Sequence, residues 1–255
     1  MTYSLKHRVV SWVSRNLFDG ITYTVRNGMN KGLRRRGGLG WVPFEAAVTP
    51  ESEFWNSLDL RGLTVYDIGA FHGLLTIFFA RSARQVVAWE PSSRNRHRLE
   101  ENVRLNGFTN VTVRPCGLSN EPATARIAFD ELAPGTSSLD EKMQDGGAGK
   151  KFETIELRRL DDEQGLPAAD FIKIDVEGFE LPVLQGARRT LETTRPRLFL
   201  EMHGADAEDK RRRVDAIVAF LWEAGYRDIL HVESRTRITP DNSPVAARGH
   251  LYVQP

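Results

Sequence analysis

Charged side chains recur at every second position near the end of the apolar stretch FIKIDVEG. They are Lys173, Asp175 and Glu177, and an extended strand would point all three to the same side of a sheet. Glu201 and His203 end the next apolar stretch, RLFLEMH, with the same spacing. Carboxylates and imidazoles are side chains that accept a proton near neutral pH. The sequence therefore predicts acid–base chemistry where these two strands end.

A second candidate site follows from the stretch VYDIGAFHGLLT, in which Asp67 precedes Gly69 and Gly73. In open parallel sheets, ligands bind beyond the carboxyl ends of the strands, where glycine-rich turns let the backbone approach them. The spacing D-x-G-x-x-x-G lacks the G-x-G-x-x-G pattern that holds a pyrophosphate, which argues against a dinucleotide. Glu90 ends the next apolar stretch, where it can accept hydrogen bonds from both hydroxyls of a ribose.

A ribose without a pyrophosphate indicates S-adenosylmethionine. We expect its cationic amino acid end to lie near Asp67 and its adenosine near Glu90, with the adenine beside the backbone of residues 116 and 117. The residues predicted to bind this cofactor are Asp67, Gly69, Ala70, Phe71, His72, Gly73, Glu90, Cys116, Gly117 and Asp175.

The elements that position these residues alternate from residue 62 onward. Five strand-like stretches, most of them separated by helical patterns, are LTVYDIG, QVVAWEP, NVTVRP, ADFIKID and RLFLEMH. Alternation of this kind predicts an α/β fold, with a parallel sheet and helices on both of its faces. Near the end of the chain, RDILHVESRT and GHLYVQP predict a closing antiparallel pair.

Two stretches between the third and fourth predicted strands interrupt this alternation. LAPGTSSLDEKMQDGGAGKK is polar and glycine-rich, and we expect a mobile loop whose GTSSL segment folds over the site and excludes water. FETIELRRLDD alternates as an edge strand or one arm of a hairpin does.

The composition is that of an ordinary soluble protein. The 255 residues are 40% hydrophobic and 27% charged, with a net charge of +1, so no binding to nucleic acid is predicted. Cys116 is the only cysteine, and the N-terminus lacks the apolar core of a secretion signal, so we expect a cytoplasmic protein. No apolar run approaches the length that crosses a bilayer.

A basic, partly helical arm is predicted over residues 1–49, ahead of one domain over residues 50–255. Its first 40 residues hold a single acid, Asp19, against the basic residues Lys6, Arg8, Arg15, Arg26, Lys31, Arg34, Arg35 and Arg36. Apolar residues between positions 9 and 18 recur at helical spacing, and GLRRRGGLG is typical of a flexible connector. We expect the arm to pack on its own domain or on a second copy of the chain in a homodimer; contact with a membrane surface or an anionic ligand is the alternative.

The motifs of residues 50–255 resemble the FkbM family of S-adenosylmethionine-dependent methyltransferases. The resemblance rests on VYDIGAFHGLLT, AWEPSSRNRHRLEENVRLN and GTSSLD, and above all on K-x-D-x-E-G-x-E followed by L-x-G-A and E-x-H. It implies a Rossmann-like class I methyltransferase fold with a seven-stranded sheet. It also implies methylation of a hydroxyl on a small molecule or a sugar.

With this chemistry, Asp175 and His203 are expected to orient and deprotonate the acceptor hydroxyl, with Glu177 in the same cleft. Lys173 lies inside an apolar strand, so we expect a structural ion pair with an acid such as Glu201. The sequence contains no dedicated metal motif, and no metal is predicted. A divalent cation held by Asp175, Glu177 and His203 is the alternative.

One departure from the family pattern concerns the cofactor turn. Where the family usually has G-A-N-x-G, this chain has GAFHG, so Phe71 replaces a polar cofactor contact and His72 is an addition. Three other functions stay open: a methyltransferase of RNA or protein that uses the basic arm, a catalytically silent relative that binds the cofactor, and an oxidoreductase with an adenosine cofactor. The missing pyrophosphate pattern disfavours the oxidoreductase.

Overall fold

The computed structural model describes residues 20–37, 48–130, 133–138 and 151–255. In chain order its strands are β1 (Thr22–Thr24), β2 (Arg34–Arg36), β3 (Thr64–Ile68), β4 (Gln85–Trp89), β5 (Val111–Arg114), β6 (Gly117–Leu118), β7 (Ala123–Asp130), β8 (Ala133–Ser138), β9 (Lys151–Arg158), β10 (Phe171–Ile174), β11 (Arg197–Glu201), β12 (Asp228–His231), β13 (Thr236–Arg237) and β14 (His250–Gln254). Its helices are α1 (Pro50–Ser57), α2 (Leu74–Ala80), α3 (Ser93–Leu105), α4 (Glu180–Gly186), α5 (Arg188–Thr193) and α6 (Ala207–Glu223).

The largest sheet has the strand order β13-β12-β14-β11-β10-β3-β4-β5. Strands β5, β4, β3, β10 and β11 run parallel, and β14 lies antiparallel between β11 and β12. The predicted Rossmann-like α/β fold with its C-terminal antiparallel pair is confirmed, with the two-residue strand β13 as an eighth strand at the edge. The strand order reverses between β3 and β10, the position at which open sheets of this kind bind ligands.

Alternate residues of the central strands face two different helix layers. Ile68 and Ile172 belong to the core that includes α4, α5 and α6. Val65 and Phe171, on the opposite face, pack around Trp55 of α1 together with α2. Because both faces are apolar and buried, a slip of one residue would exchange the two side-chain sets, so this packing fixes the strand register.

A smaller sheet, of order β6-β9-β7-β8, includes parts of both stretches that interrupted the sequence pattern. Of the two interpretations of FETIELRRLDD, the edge strand was wrong, because β9 pairs on one side with β6 and on the other with β7. Its antiparallel pairing with β7 is of the kind that the hairpin interpretation expects. The predicted mobile loop was wrong for residues 133–138, which form β8 because the other edge of β7 offers them backbone partners. Residue 132 and residues 139–150 of that loop lie outside the described residues.

The described part of the basic N-terminal segment is a β-hairpin that packs on α3. Strands β1 and β2 pair antiparallel. The backbone N–H groups of Arg34 and Arg36 donate to the side-chain oxygens of Asn106 at 2.7 Å and Asn102 at 2.9 Å. The flexible connector predicted over GLRRRGGLG was therefore wrong at positions 34–36, because Asn102 on α3 and Asn106, the residue that follows this helix, provide partners for the strand edge.

The amphipathic helix predicted between residues 9 and 18 lies outside the described residues. Among the helices in the described part of the chain, none combines the length and the apolar composition needed to cross a membrane. The domain boundary at residue 50, dimerisation through the arm and contact with a membrane surface stay predictions.

Candidate functional site

A cavity of about 160 Å³ lies where β3, β4 and β10 end. Five of the predicted cofactor residues form part of its wall: Gly69, Phe71, Glu90, Gly117 and Asp175. The cavity lies at the strand-order reversal, so the fold brings together residues that are up to 106 positions apart in the chain.

Gly69 allows the ends of β3 and β10 to approach each other closely. Its φ is +79°, and a Cβ at this position would lie 1.8 Å from the backbone oxygen of Asp175. Its own carbonyl oxygen accepts a hydrogen bond from Lys173 Nζ at 2.8 Å. A glycine therefore suits this position for two reasons. It adopts the left-handed backbone of the predicted turn, and it lets the two strand ends come into close contact.

Replacing Gly69 by Ala is expected to destabilise the protein by roughly 3 kcal/mol, because a left-handed φ and a clash with Asp175 combine. Gly28 is the matched control, since its φ is +74° and nothing lies within 4 Å of a Cβ there. We expect Gly28→Ala to cost roughly 1 kcal/mol. Denaturant titration measures both losses, and equal values would show that the contact with Asp175 has no energetic role.

Glu90 places a buried carboxylate at the end of β4, with 6% of the residue exposed. Its Oε2 accepts from the backbone N–H of Phe71 at 2.8 Å, and its Oε1 accepts from the N–H of Ser92 at 3.0 Å and from Asn95 Nδ2 at 3.3 Å. Burial raises the pKa of Glu90 to about 7, although these hydrogen bonds oppose the shift. The three donors fix the carboxylate at the cavity wall, and its other lone pairs can accept from hydroxyl groups.

Asp67 and Lys173 form a buried ion pair behind the cavity wall. Asp67 Oδ2 accepts from Thr76 Oγ1 at 2.6 Å, and Oδ1 lies 3.4 Å from Lys173 Nζ, which is also 3.3 Å from Asp175 Oδ2. Burial alone would lower the pKa of Lys173, but the two carboxylates outweigh it and raise that pKa. Lys173 thus pairs with Asp67, its register partner across β3 and β10, rather than with the predicted Glu201.

Four carboxylates surround the largely buried side chain of His203. Its Nδ1 donates to Glu180 Oε1 at 2.9 Å. Its Nε2 lies 3.5 Å from Glu201, 3.6 Å from Glu177 and 3.8 Å from Asp175. Burial alone would lower the pKa of His203, but the hydrogen bond to Glu180 and the neighbouring charges raise it to about 9. The structure therefore brings the three predicted catalytic residues into one cluster.

Glu180 is a member of this cluster that sequence reasoning missed. It is 1% exposed at the start of α4, and its Oε1 also accepts from the N–H of Gly178 at 2.9 Å. A carboxylate on Nδ1 selects the histidine tautomer and ring orientation, and Nε2 then lies on the side of Asp175 and Glu177. The sequence feature that could have identified Glu180 is the E-G-x-E motif, in which Glu180 is the second glutamate, three residues after Glu177.

The acidic members of the cluster differ in their ionisation. Burial raises the pKa of Glu177 to about 7 and also raises the pKa of Asp175. By contrast, the interaction with His250 lowers the pKa of Glu201 to about 2. Glu201 therefore stays negatively charged at neutral pH and stabilises the positive charge of His203.

A family model described as the methyltransferase FkbM domain matches residues 67–227, more than half of the chain. The matched range contains both the cavity and the His203 cluster. The chain belongs to the FkbM methyltransferase family. The resemblance seen in the motifs is thus confirmed, and the cofactor of this FkbM chain is S-adenosylmethionine.

Individual relatives match parts of the FkbM chain. Methyltransferase sdnD of Sordaria araneosa is 31% identical over 157 residues, which are 48% of this chain and 59% of that protein. Methyltransferase 1 of Beauveria bassiana is 28% identical over 142 residues, which are 48% of this chain and 57% of that protein. The crystal structure of methyltransferase FkbM from Methylobacillus flagellatus KT is 21% identical, with 80% of this chain and 50% of that chain covered and a TM-score of 0.49. The chain thus spans less than two thirds of either curated relative.

The FkbM cavity fits an adenosine in two respects. Glu90 offers carboxylate lone pairs for ribose hydroxyls. Trp89, Leu118 and Ile127 provide apolar wall for a flat base.

The other five predicted cofactor residues lie outside the cavity wall: Asp67, Ala70, His72, Gly73 and Cys116. The ring of His72 stacks on Phe71 with 3.7 Å between centroids, and Gly73 begins α2 with a φ of +77°. Ala70 and Cys116 are buried in apolar clusters. Their parts in cofactor binding stay predictions.

Seven further wall residues were not predicted: Ile68, Trp89, Pro91, Asn95, Leu118, Ile127 and Val176. Of these, only Asn95 could have been predicted from the sequence. It lies on the first turn of α3, five residues after Glu90, where its amide can reach back to the carboxylate. Ile127 comes from β7, whose packing against this edge of the large sheet depends on contacts distant in sequence.

Proposed function

We propose that this FkbM domain is an O-methyltransferase that uses His203 to deprotonate a hydroxyl of a small molecule or a saccharide. S-adenosylmethionine supplies an activated methyl group when bound. The observation that carries the proposal is the orientation of His203, whose Nδ1 is held by Glu180 at 2.9 Å while Nε2 lies within 4 Å of Asp175 and Glu177, two residues of the cavity wall. A hydroxyl placed there would meet both a hydrogen-bond acceptor, Asp175, and a base.

The charges around His203 favour the product of proton transfer. Glu177 and Asp175 lie within 4 Å of Nε2 on the cleft side, and Glu180 and Glu201 complete the group. These carboxylates stabilise the imidazolium that forms when His203 takes a proton from the acceptor. His203 is therefore the base in this proposal, and Asp175 orients the acceptor.

The rate of methyl transfer is expected to rise with pH up to about 9. Because the pKa of His203 is about 9, most of it is imidazolium at neutral pH and has no lone pair for the acceptor proton. Below that pKa, kcat/KM should increase about tenfold per pH unit and then become constant. Glu180→Gln should lower the pKa of His203 and move the rise to lower pH. A pH profile that is unchanged in Glu180→Gln would contradict the assignment.

Incubation with methyl-labelled S-adenosylmethionine and fractionated cell extract tests the acceptor class. Label in saccharides or small metabolites that disappears in His203→Ala would support the proposal. Label in RNA or protein would show that the methyl acceptor is a macromolecule, although methyl transfer from S-adenosylmethionine would still be the reaction. Cofactor binding without transfer to any fraction would indicate a catalytically silent relative.

A divalent cation is the second candidate for activating the hydroxyl. Asp175, Glu177 and His203 each offer one ligand atom, and these three atoms lie within 4.8 Å of one another. A metal-bound His203 must be deprotonated, and its raised pKa works against this at neutral pH. Dialysis against EDTA separates the candidates, because lost turnover that Mg²⁺ restores would favour the metal.

A further inference from the structure

Two loops at the carboxyl edge of the large sheet carry the residues around His203. The β10 loop, residues 175–179, joins β10 to α4 and contains Asp175 and Glu177. The β11 loop, residues 202–206, joins β11 to α6 and contains His203. Side chains on loops are placed less precisely than side chains on helices or strands. The geometry of the His203 cluster therefore depends on what holds these two loops together.

Asp209, a buried residue on the first turn of α6, holds the β11 loop against this helix. Its Oδ2 accepts from the backbone N–H of Ala205 at 3.1 Å and from Nε of Arg213 at 2.7 Å. The approach is close, because a Cβ at Gly204 would lie 2.9 Å from the backbone nitrogen of Lys210. The β11 loop therefore lies directly on the start of α6.

Arg213 connects the same helix to the β10 loop. While its Nε donates to Asp209, its Nη1 donates to the carbonyl oxygen of Gly178. The side chain is 19% exposed, so most of it is enclosed between the helix and the loop. A guanidinium is a planar group whose donors point in fixed directions. One side chain thus fixes the position of the β10 loop relative to α6 and the β11 loop.

The peptide that Arg213 holds is itself part of the His203 cluster. The N–H of Gly178 donates to Glu180 Oε1 at 2.9 Å, and the same oxygen accepts from Nδ1 of His203 at 2.9 Å. Two hydrogen bonds therefore separate the Gly178 peptide from the imidazole. A movement of this peptide would change the orientation of the Glu180 carboxylate and, through it, of the histidine ring.

The backbone of Glu177 provides an independent reason why the β10 loop needs to be held. Its φ is +53°, a left-handed conformation that is unfavourable for glutamate. Such a conformation persists only where the surrounding structure enforces it. The hydrogen bond from Arg213 acts on the next residue, Gly178. Without it, Glu177 could relax and move from its position 3.6 Å from Nε2 of His203.

We propose that Arg213 is a positioning residue for methyl transfer, which together with Asp209 holds the β10 loop in register with the β11 loop and His203. The inference rests on the proposed function and adds a residue outside the reacting groups. Arg213 is not part of the cavity wall, so it acts through the two loops rather than on the cofactor or the acceptor.

The hydrogen bond from His203 to Glu180 allows a measurement that needs no methyl acceptor. NMR of the full chain with isotope-labelled histidine detects the Nδ1–H proton of His203, whose signal is identified by its loss in His203→Gln. In Arg213→Lys this proton should exchange with water at least about tenfold faster. The reason is that a single ammonium cannot hold Asp209 and Gly178 in the way that the guanidinium does.

Arg212→Lys is the matched control, because Arg212 contacts the same carboxylate of Asp209 from an exposed position. It should keep the exchange rate within about twofold of the wild type. Asp209→Asn tests the same connection where Arg213→Lys does not fold. Its amide oxygen can still accept from Ala205, but the charge that holds Arg213 is lost, so exchange should again be faster. Unchanged exchange in both variants would overturn the proposal.

Methyl transfer to the acceptor fraction that the wild type labels is the second measurement. In Arg213→Lys, kcat should fall about 100-fold while the dissociation constant for S-adenosylmethionine changes less than about threefold, because a small displacement disrupts the reaction geometry and leaves the cavity intact. An unchanged kcat, or an equal loss of kcat and cofactor affinity, would overturn the proposal. If the wild type labels no fraction, the proposed function fails, whereas faster exchange in Arg213→Lys would still support the role of Arg213 in holding His203.

Discussion

The variant Asp175→Asn is expected to lose roughly a thousandfold in kcat while its dissociation constant for S-adenosylmethionine changes less than about fivefold. Asp175 lies 3.8 Å from His203 Nε2 at the cavity wall. Asparagine keeps the shape of the side chain but removes the negative charge that orients a hydroxyl and stabilises the imidazolium. The loss should therefore appear in the chemical step rather than in cofactor affinity.

The fold is expected to survive this substitution. Lys173 keeps Asp67 at 3.4 Å and the carbonyl oxygen of Gly69 at 2.8 Å as partners. Asp162→Asn is the matched control, because that side chain is 54% exposed and is not part of the cavity wall. Single-turnover transfer of labelled methyl measures the chemical step directly. Full turnover in Asp175→Asn would remove Asp175 from the catalytic group and leave His203 to act with Glu177.

The fold was predictable because its strands carry a strong local signal. Stretches such as QVVAWEP are apolar at every position, which is typical of strands buried on both faces, and they alternate with helical patterns. The carboxyl ends of parallel strands lie at one edge of the sheet. The polar residues that end these stretches, Glu90, Asp175 and His203, were therefore expected to meet, and the structure places them at the same edge of the large sheet.

What sequence reasoning missed depends on contacts between distant segments. Lys173 pairs with Asp67 because β10 lies next to β3, and one sequence does not show that register. Glu180 has the appearance of a helix N-terminal acid, which is a common surface feature, and only the packing of α4 brings it to His203. The hairpin of residues 22–36 is short and polar, and its docking on α3 uses side-chain amides rather than apolar contacts.

Glu90→Ala is expected to weaken S-adenosylmethionine binding about 100-fold, because two hydrogen bonds from ribose hydroxyls to a charged acceptor are lost. Glu90→Gln should weaken it about tenfold, since the amide oxygen can still accept from the N–H of Phe71 and from one hydroxyl. Glu100→Ala, at an exposed position of α3, is the control. Calorimetric titration with the cofactor gives the three dissociation constants.

The ionisation of Glu90 allows a second test, which distinguishes ribose binding from a purely structural role of this side chain. Burial raises the pKa of Glu90 to about 7, so the carboxylate is the main form above that pH and the neutral acid below it. A neutral acid accepts hydrogen bonds more weakly than a carboxylate. Wild-type affinity for the cofactor should therefore fall as the pH is lowered from 8 to 5, whereas Glu90→Gln, which does not titrate, should show a flat profile. If both proteins lose affinity in parallel, another group controls binding and Glu90 is not the ribose acceptor. If only the wild type loses affinity at low pH, the carboxylate of Glu90 is the group that contacts the ribose.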